Sequence, residues 1–535
     1  MFKEIFLGRE KFFTLNVILF HVAMILMSFM FVYIFSYSTS FRYDMLGGDS
    51  SIFQSIGKFW TQGHLPYVEL FENKGPLLFL IDAIGYAIYP RAGIMVPQII
   101  FLYLSCLFIW RAMELYSSTV GKIFFLLIAL IFYAAHYEEG NHVEEYSVLF
   151  LSAAAYVFLR ALKDSEGKKF FHPPLYGFIY GFGFGACVLI RTSDAAQICC
   201  QTFLAAIFLL QARDFKNLWQ NILSFCAGFA AIVLPFVIYF AAHEALYDMI
   251  YGTILFNMKY TDASFWLPFK YQVLYNVFHF LPLFIMIIVA ALTLKQNSKS
   301  RLLWSAIFIG AMMAFLLMKL RPYGHYAMII FPAMSILFAV LHESRNELQK
   351  IWQTSGLSFK RILLKIFIIL AVIDIYMSSC CIKELCLNEE STLLLFAPTV
   401  NRKVIELNSN EHEEILKLSS IIPEEEKNSF VTWGDYCNAP HWVIYADMKP
   451  REREFFLNSI NGKIDPAIRK EWFDNVRKDY PLWILYGTDP SRKPGEPPKT
   501  PTEDGELEQL LEEKYLFKGE VYIFPQMMKL YRLKE

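Results

Sequence analysis

Residues 136–148 read HYEEGNHVEEYSV, between the apolar runs IFFLLIALIFYAA (123–135) and VLFLSAAAYVFL (148–159). Glu138, Glu139, Glu144 and Glu145, with His136 and His142, thus sit against segments suited to lipid. Charge so close to hydrocarbon is costly unless it faces water, a partner or a substrate. The flanking runs decide the fold class: an α-helical polytopic membrane protein, with this stretch as a polar loop between two spans.

The rest of the chain agrees. Of 535 residues, 56% are hydrophobic and 17% aromatic, 51 of them Phe, which is too apolar for a soluble enzyme that must cover its core with polar surface. Net charge is −1 and there is no basic tract, so nucleic-acid binding has no support. The nine cysteines lie mostly in apolar runs and form no C-x-x-C pair, so they read as buried filler. The basic start MFKEIFLGREKF (1–12) precedes a long apolar run without a cleavage site, which reads as a first span.

Spans fall near 13–37, 94–114, 120–135, 143–162, 173–190, 194–212, 219–242, 272–294, 302–319, 325–342 and 361–380. That is about eleven transmembrane helices. The run GPLLFLIDAIGYAIY (75–89) is short and carries Asp82, so it reads as a juxtamembrane or re-entrant element. With the N-terminus inside, the Lys/Arg-bearing short loops KDSEGKKFFH (163–172), RDFKNL (213–218), KQNSKSR (295–301) and 343–360 are also inside. The loop 38–93, the 136–142 loop, RTSD (191–194), 243–271, KLRPYGH (319–325) and the tail then lie outside.

Apolar character stops near 387, dividing a transmembrane domain (1–387) from a small extracytoplasmic α/β domain (388–535). In the latter, SFVTWG (429–434) and PLWILYG (481–487) read as strands, DPAIRKEWFDNVRKD (465–479) and DGELEQLLEEKY (504–515) as helices.

The first outside loop contains GGDSSIFQSIGKFW (47–60), whose apolar spacing predicts an amphipathic helix in the interface with Trp60 at headgroup depth. Asp49 at its start reads either as an N-cap or as a general base on an acceptor hydroxyl. In the 136–148 stretch, Glu144 and Glu145 suit the first turn of a helix, whereas Glu138 and Glu139 precede the Gly140-Asn141 turn and are the pair favoured for a ligand. Carboxylates suit Mg²⁺ or Mn²⁺, and adding His136 or His142 suits Mn²⁺ or Zn²⁺, so Glu138, Glu139 and His136 are the candidate metal ligands. Lys74, Arg191, Lys319, Arg321 and His325 are external cations at helix ends, in excess of ordinary snorkelling, and point to a phosphate-bearing ligand.

Asp49 in the first loop, PYVELFENKGPLL (66–78), the acidic second loop, RPYGHYAMIIFP (321–332) and FVTWGDYCNAPHWVIYADMKP (430–450) together resemble membrane glycosyltransferases of the GT-C superfamily. The likeness is to the bacterial glycosyltransferase family 39-like group, related to protein O-mannosyltransferases and the lipid A aminoarabinose transferase. It implies transfer of a sugar from a polyprenyl-phosphate-sugar donor to a protein, glycan or lipid acceptor at the outer face of a bacterial cytoplasmic membrane, with inversion. Carried onto this chain, it makes Asp49 the catalytic base, Glu138 or Glu139 the second acidic motif, and Lys74, Arg321, His325 and Arg191 the groups around the carrier phosphate. Members that bind metal carry D-x-D where this chain has Asp49-Ser50-Ser51, so the resemblance leaves metal dependence open. Rival readings are a transporter or flippase of lipid-linked saccharides, for which Asp82 and Asp374 are the few ionisable groups within apolar runs, and an inactive relative that binds a lipid carrier.

Overall fold

The computed structural model describes residues 2–8, 14–117, 120–262, 279–318, 323–353, 361–365, 368–369, 372, 411–434, 438–456, 458–489, 504–523 and 526–535. Lys319, Arg321, Asp374, most of the expected 361–380 span and the expected domain boundary at 387 lie outside them.

The apolar runs form helices: α1 (Phe2–Leu7), α2 (Leu15–Phe35), α3 (Gly48–Thr61), α4 (Pro76–Ile88), α5 (Met95–Glu114), α6 (Gly121–Ala135), α7 (Val143–Asp164), α8 (Pro174–Val188), α9 (Ala196–Gln211) and α10 (Phe215–Ala242). They continue with α11 (Leu246–Ile250), a π-helical turn (Tyr251–Leu255), α12 (Phe256–Asp262), α13 (Leu281–Leu294), α14 (Arg301–Leu317), a 3₁₀ segment (Gly324–Ile330) and α15 (Met334–Gln353). Five helices are long and apolar enough to cross a membrane by length and composition, or six when the 3₁₀ segment and α15, bent by 50°, count as one span. Among the described residues the expectation of about eleven spans is therefore not met by that measure; α4, α6, α8, α13 and α14 are apolar but shorter.

The outward faces of α2 and α10 carry Leu15 and Leu223 at 70% and 67% exposure. Such surfaces suit lipid, not water, and the chain is a multi-pass membrane protein in character. At the centre, α7 is buried along most of its length within a core shared with α2, α5, α6, α9 and α13–α15. The pairing of α8 with α10 depends on glycine: a Cβ on Gly181 would stand 1.9 Å from Phe225 O, and one on Gly228 2.1 Å from Phe178 O.

Two loops are more ordered than their sequence suggested. The external loop expected at 243–271 is helical from Leu246 to Asp262 as far as it is described. The expected 325–342 span begins as the 3₁₀ segment, breaks at Phe331–Ala333, and continues as helix to Gln353, into the stretch expected as a loop.

From residue 411 on, the polar tail forms α16 (Glu411–Ser419), β1 (Phe430–Trp433), α17 (Asn438–Tyr445), α18 (Asn458–Ile464), α19 (Pro466–Lys478), β2 (Trp483–Thr488), α20 (Gly505–Lys514), β3 (Tyr515–Ile523) and β4 (Gln526–Leu533). The sheet order is β1-β2-β4-β3; β1 and β2 are parallel, joined through α17–α19, and β4 pairs antiparallel with both β2 and β3. The two expected strands and two expected helices are present; the β3–β4 hairpin and three further helices were not expected. Trp433, Trp442, Trp472 and Trp483 are fully buried across its two faces.

The amphipathic helix α3 does not lie open in the interface. Ser50 to Phe59 are all buried, because its apolar side packs on α4 and its polar side on α17. Trp60 donates from Nε1 to Tyr239 Oη (2.9 Å).

Candidate functional site

Three chain segments meet at one end of the bundle. The first is the N-terminal turn of α3. Its N-cap is Gly47, and Asp49 stands in the first turn without capping it. The capping is done from elsewhere: Ser50 N donates to Glu139 Oε1 (3.2 Å), while Ser38 N, ahead of the helix, donates to Glu139 O (3.1 Å). Asp49 is thereby left free of the N-cap role that its position suggested.

The second segment is the 136–142 loop. Glu138, Gly140 and Asn141 adopt left-handed backbone conformations, φ 48°, 77° and 61°. Strain of this kind persists where packing over-determines it and is frequent at working sites. The turn sends its acids apart. Glu138 takes His325 with both oxygens, from its backbone N (3.0 Å) and Nδ1 (2.9 Å), while Glu139 holds α3. Asn141 Nδ2 donates to Asp82 Oδ1 (2.8 Å) and Ser50 Oγ (3.1 Å), so Asp82 ties α4 to the loop rather than lining a path between leaflets. In the first turn of α7, Glu145 accepts from His142 N (2.9 Å), Gln98 Nε2 (2.9 Å) and Tyr137 Oη (2.5 Å), and Glu144 pairs with Arg191 (2.5 Å).

The third is the Tyr323–Tyr326 turn. His325 is stacked between Tyr323 (ring centroids 5.5 Å) and His142 (4.3 Å). One ligand atom each from Asp49, His142 and His325 lie within 4.8 Å of one another.

These segments surround a cavity of about 430 Å³. Asp49, Lys74, Glu138, Glu139, His142, Arg191 and His325 all line it, so among the described residues it gathers most of the site expected from the sequence. His136 is absent from it: the ring bonds Phe132 O (2.7 Å) and His279 Nδ1 (2.8 Å). The metal set Glu138, Glu139, His136 is thus not brought together, because Glu138 and Glu139 are engaged and His136 packs within the bundle. The cations are not bare either. Arg191 is held by Glu144 and Asp194 (2.5 Å each) with Tyr326 beneath it (4.3 Å), and Lys74 by Glu72 (3.0 Å) and Asn73 (2.6 Å).

Charge states follow from these pairings. Burial pushes the Glu138 carboxyl up, but His325 and His142 outweigh it and hold the group down at about 2. Glu139 is raised, chiefly by burial, with Asp49 adding to the rise. Glu72 is likewise raised by burial. Burial pulls Lys74 down, yet Glu72 and Asp49 more than offset it, so the ammonium stays charged.

The C-terminal unit supplies part of the wall through Phe456, Ile460 and Asn461. Nothing in the sequence marked these residues, since only chain folding carries them to the cavity. His142 was legible as a metal-type residue; its stacking on His325 was not.

The molecule is thus a membrane-type helical bundle with a polar cavity whose wall includes Phe456, Ile460 and Asn461 of the C-terminal α/β tail. No protein-family model matches the chain, and no curated protein matches it. Among solved structures it is similar to the archaeal oligosaccharyltransferase AglB from Archaeoglobus fulgidus in complex with an inhibitory peptide and a dolichol-phosphate, at 12% identity and TM-score 0.43 over 88% of this chain and 70% of that one. It is similar also to the Archaeoglobus fulgidus oligosaccharyltransferase tethered to an acceptor peptide containing the NVT sequon (13%, TM-score 0.44, 88% and 69%) and to the same enzyme with Zn and sulfate (12%, 0.42, 86% and 67%).

Proposed function

We propose that this chain is a GT-C-type glycosyltransferase that moves a sugar from a polyprenyl-phosphate-linked donor to an acceptor hydroxyl at the outer face of a cell membrane. The observation that carries the reading is the single cavity holding Asp49, Lys74, Arg191, His142 and His325 at one end of the apolar bundle. In the reaction, the acceptor O–H gives its proton to Asp49 while its oxygen bonds to the anomeric carbon; the bond from that carbon to the carrier phosphate breaks, with inversion. The departing phosphate takes the electron pair, and Lys74 and Arg191 stabilise its charge, each held in place by its carboxylate partners. The apolar wall of Phe53, Phe71 and Phe256 suits the non-polar part of a lipid-borne donor.

Asp49, His142 and His325 are the group that fits a divalent cation. One carboxylate and two imidazoles suit Mn²⁺ or Zn²⁺ better than Mg²⁺, and neither buried ring nitrogen of His142 has a hydrogen-bond partner. A cation bound there would neutralise phosphate charge. The flippase reading is less well supported, since Asp82 is committed to Asn141.

The test is mass spectrometry of surface glycans from cells lacking the chain, complemented with wild type or Asp49→Asn. Loss of one sugar, restored by wild type and not by the variant, is expected. Full restoration by Asp49→Asn overturns the base assignment, and an unchanged glycan profile in the deletion overturns the enzyme.

A further inference from the structure

Of the three residues that the C-terminal tail contributes to the cavity wall, Phe456, Ile460 and Asn461, only Asn461 is polar. Its amide nitrogen donates to Glu454 Oε2 (3.1 Å), and Glu454 is itself buried. That bond uses one N–H and fixes the plane of the amide. The second N–H and the carbonyl oxygen of Asn461 have no partner among the described residues, and that oxygen is not sealed from the cavity.

The position is braced on both sides. Before it, Phe71 N donates to Arg453 O (2.8 Å), which ties this stretch of the tail to the loop that carries Lys74. After it, Asp465 N donates to Asn461 O (2.8 Å), and the Asp465 carboxylate takes Tyr251 Oη and Lys259 Nζ (2.5 Å each). Phe71, Phe256 and Ile468 close the junction as one apolar cluster. A recognition group gains from such bracing, because little freedom is left to lose when a ligand binds.

An amide that presents an acceptor and a donor side by side matches neighbouring hydroxyls, one giving its proton to the oxygen and the other accepting from the N–H. A sugar ring carries such pairs. A phosphate only accepts, so it suits Lys74 and Arg191 and leaves the amide oxygen unmatched. Phe456, also in the wall, adds an apolar surface for the C–H side of a ring.

We propose that Asn461, its amide oriented by Glu454, forms with Phe456 a subsite that reads a pair of hydroxyls on the donor sugar, while Lys74 and Arg191 hold the carrier phosphate. The tail thereby takes part in choosing the sugar. The assignment of that sugar to the donor rests on the reaction proposed above; the affinity of the subsite for sugar hydroxyls does not.

The test compares, for the full chain in lipid nanodiscs, the affinity for bare polyprenyl phosphate with that for the same lipid bearing glucose, mannose or N-acetylglucosamine. Wild type is expected to bind one sugar-bearing form about tenfold more tightly than the bare lipid. Asn461→Leu, similar in size but without hydrogen-bonding atoms, is expected to lose that preference and keep its affinity for the bare lipid within about twofold. Wild type that binds the bare lipid and prefers no sugar-bearing form overturns the subsite, and so does Asn461→Leu that keeps the preference. If the thermal unfolding midpoint shows that Asn461→Leu does not fold, Asn461→Ser decides by the same comparison. Wild type that binds none of the lipids overturns the donor reading instead. Saturation-transfer NMR with the free methyl glycosides then decides the subsite: a signal lost in Asn461→Leu supports it, and a signal absent from wild type or unchanged in the variant overturns it.

Discussion

The helix α7 begins and ends in charge, and its two ends differ in kind. At its first turn Glu144 is 1% exposed and bonded to Arg191, beside the Glu138–His325 pair. At its last turn Arg160–Asp164 (2.8 Å) and Lys163–Glu166 (2.7 Å) are open pairs, with Asp164 and Glu166 57% and 66% exposed. That far end also has a cavity of similar size, about 500 Å³, lined by Lys163, Glu166 and Arg301. Size therefore does not mark the site. What marks it is polar groups from distant segments held in fixed geometry out of water, where each pairing is worth more and each loss costs more.

The comparison is open to attack, most strongly at Asp49. Asp49→Asn is expected to lower sugar transfer by about a thousandfold or more while the protein stays folded, measured as carrier phosphate released per unit protein. Glu138→Gln comes next. It leaves His325 without its counter-charge and is expected to lower stability by about 2–3 kcal/mol, between the exposed and fully buried cases, read as the thermal unfolding midpoint in detergent.

A third test uses pH. Burial pushes the Glu454 carboxyl up to about 8, against Asn461 and Arg453, with Glu471 and Glu72 adding to the rise. The folded chain therefore favours the protonated acid. The stability this group contributes is full below the range of an unfolded glutamate and is lost as pH climbs toward about 8. Between pH 6 and 7 the loss is expected to be about 1 kcal/mol, and Glu454→Gln should flatten that slope in unfolding measurements. The smallest effect belongs to the far end of α7. Lys163→Met is expected to change stability by less than about 0.5 kcal/mol, and a much larger effect would erase the contrast between the ends.

Much of this was legible in the sequence because it is local. Apolar run length marked the helices, and the Gly140-Asn141 turn marked the split between Glu138-Glu139 and Glu144-Glu145. The short segments SFVTWG and PLWILYG were legible as strands and form β1 and β2. Illegible were the partners. The Glu138–His325 pair joins positions 187 apart, and Glu139 caps a helix 89 positions away. The α3 stripe spoke of one apolar face; that its polar face is also covered depends on α17, which no pattern within α3 encodes.

The sequence by itself determined that this is a multi-pass apolar chain with a polar α/β tail, and that acids and cations gather at helix ends, since hydrophobic periodicity and charge placement are read over a few residues at a time. Only the tertiary structure decided which of those charges meet. It left Asp49 out of the N-cap role beside His142 and His325, withdrew His136 into the bundle, and brought Phe456, Ile460 and Asn461 to the cavity. A buried charge takes its partner from whatever segment packing delivers, and that segment is set by the whole fold.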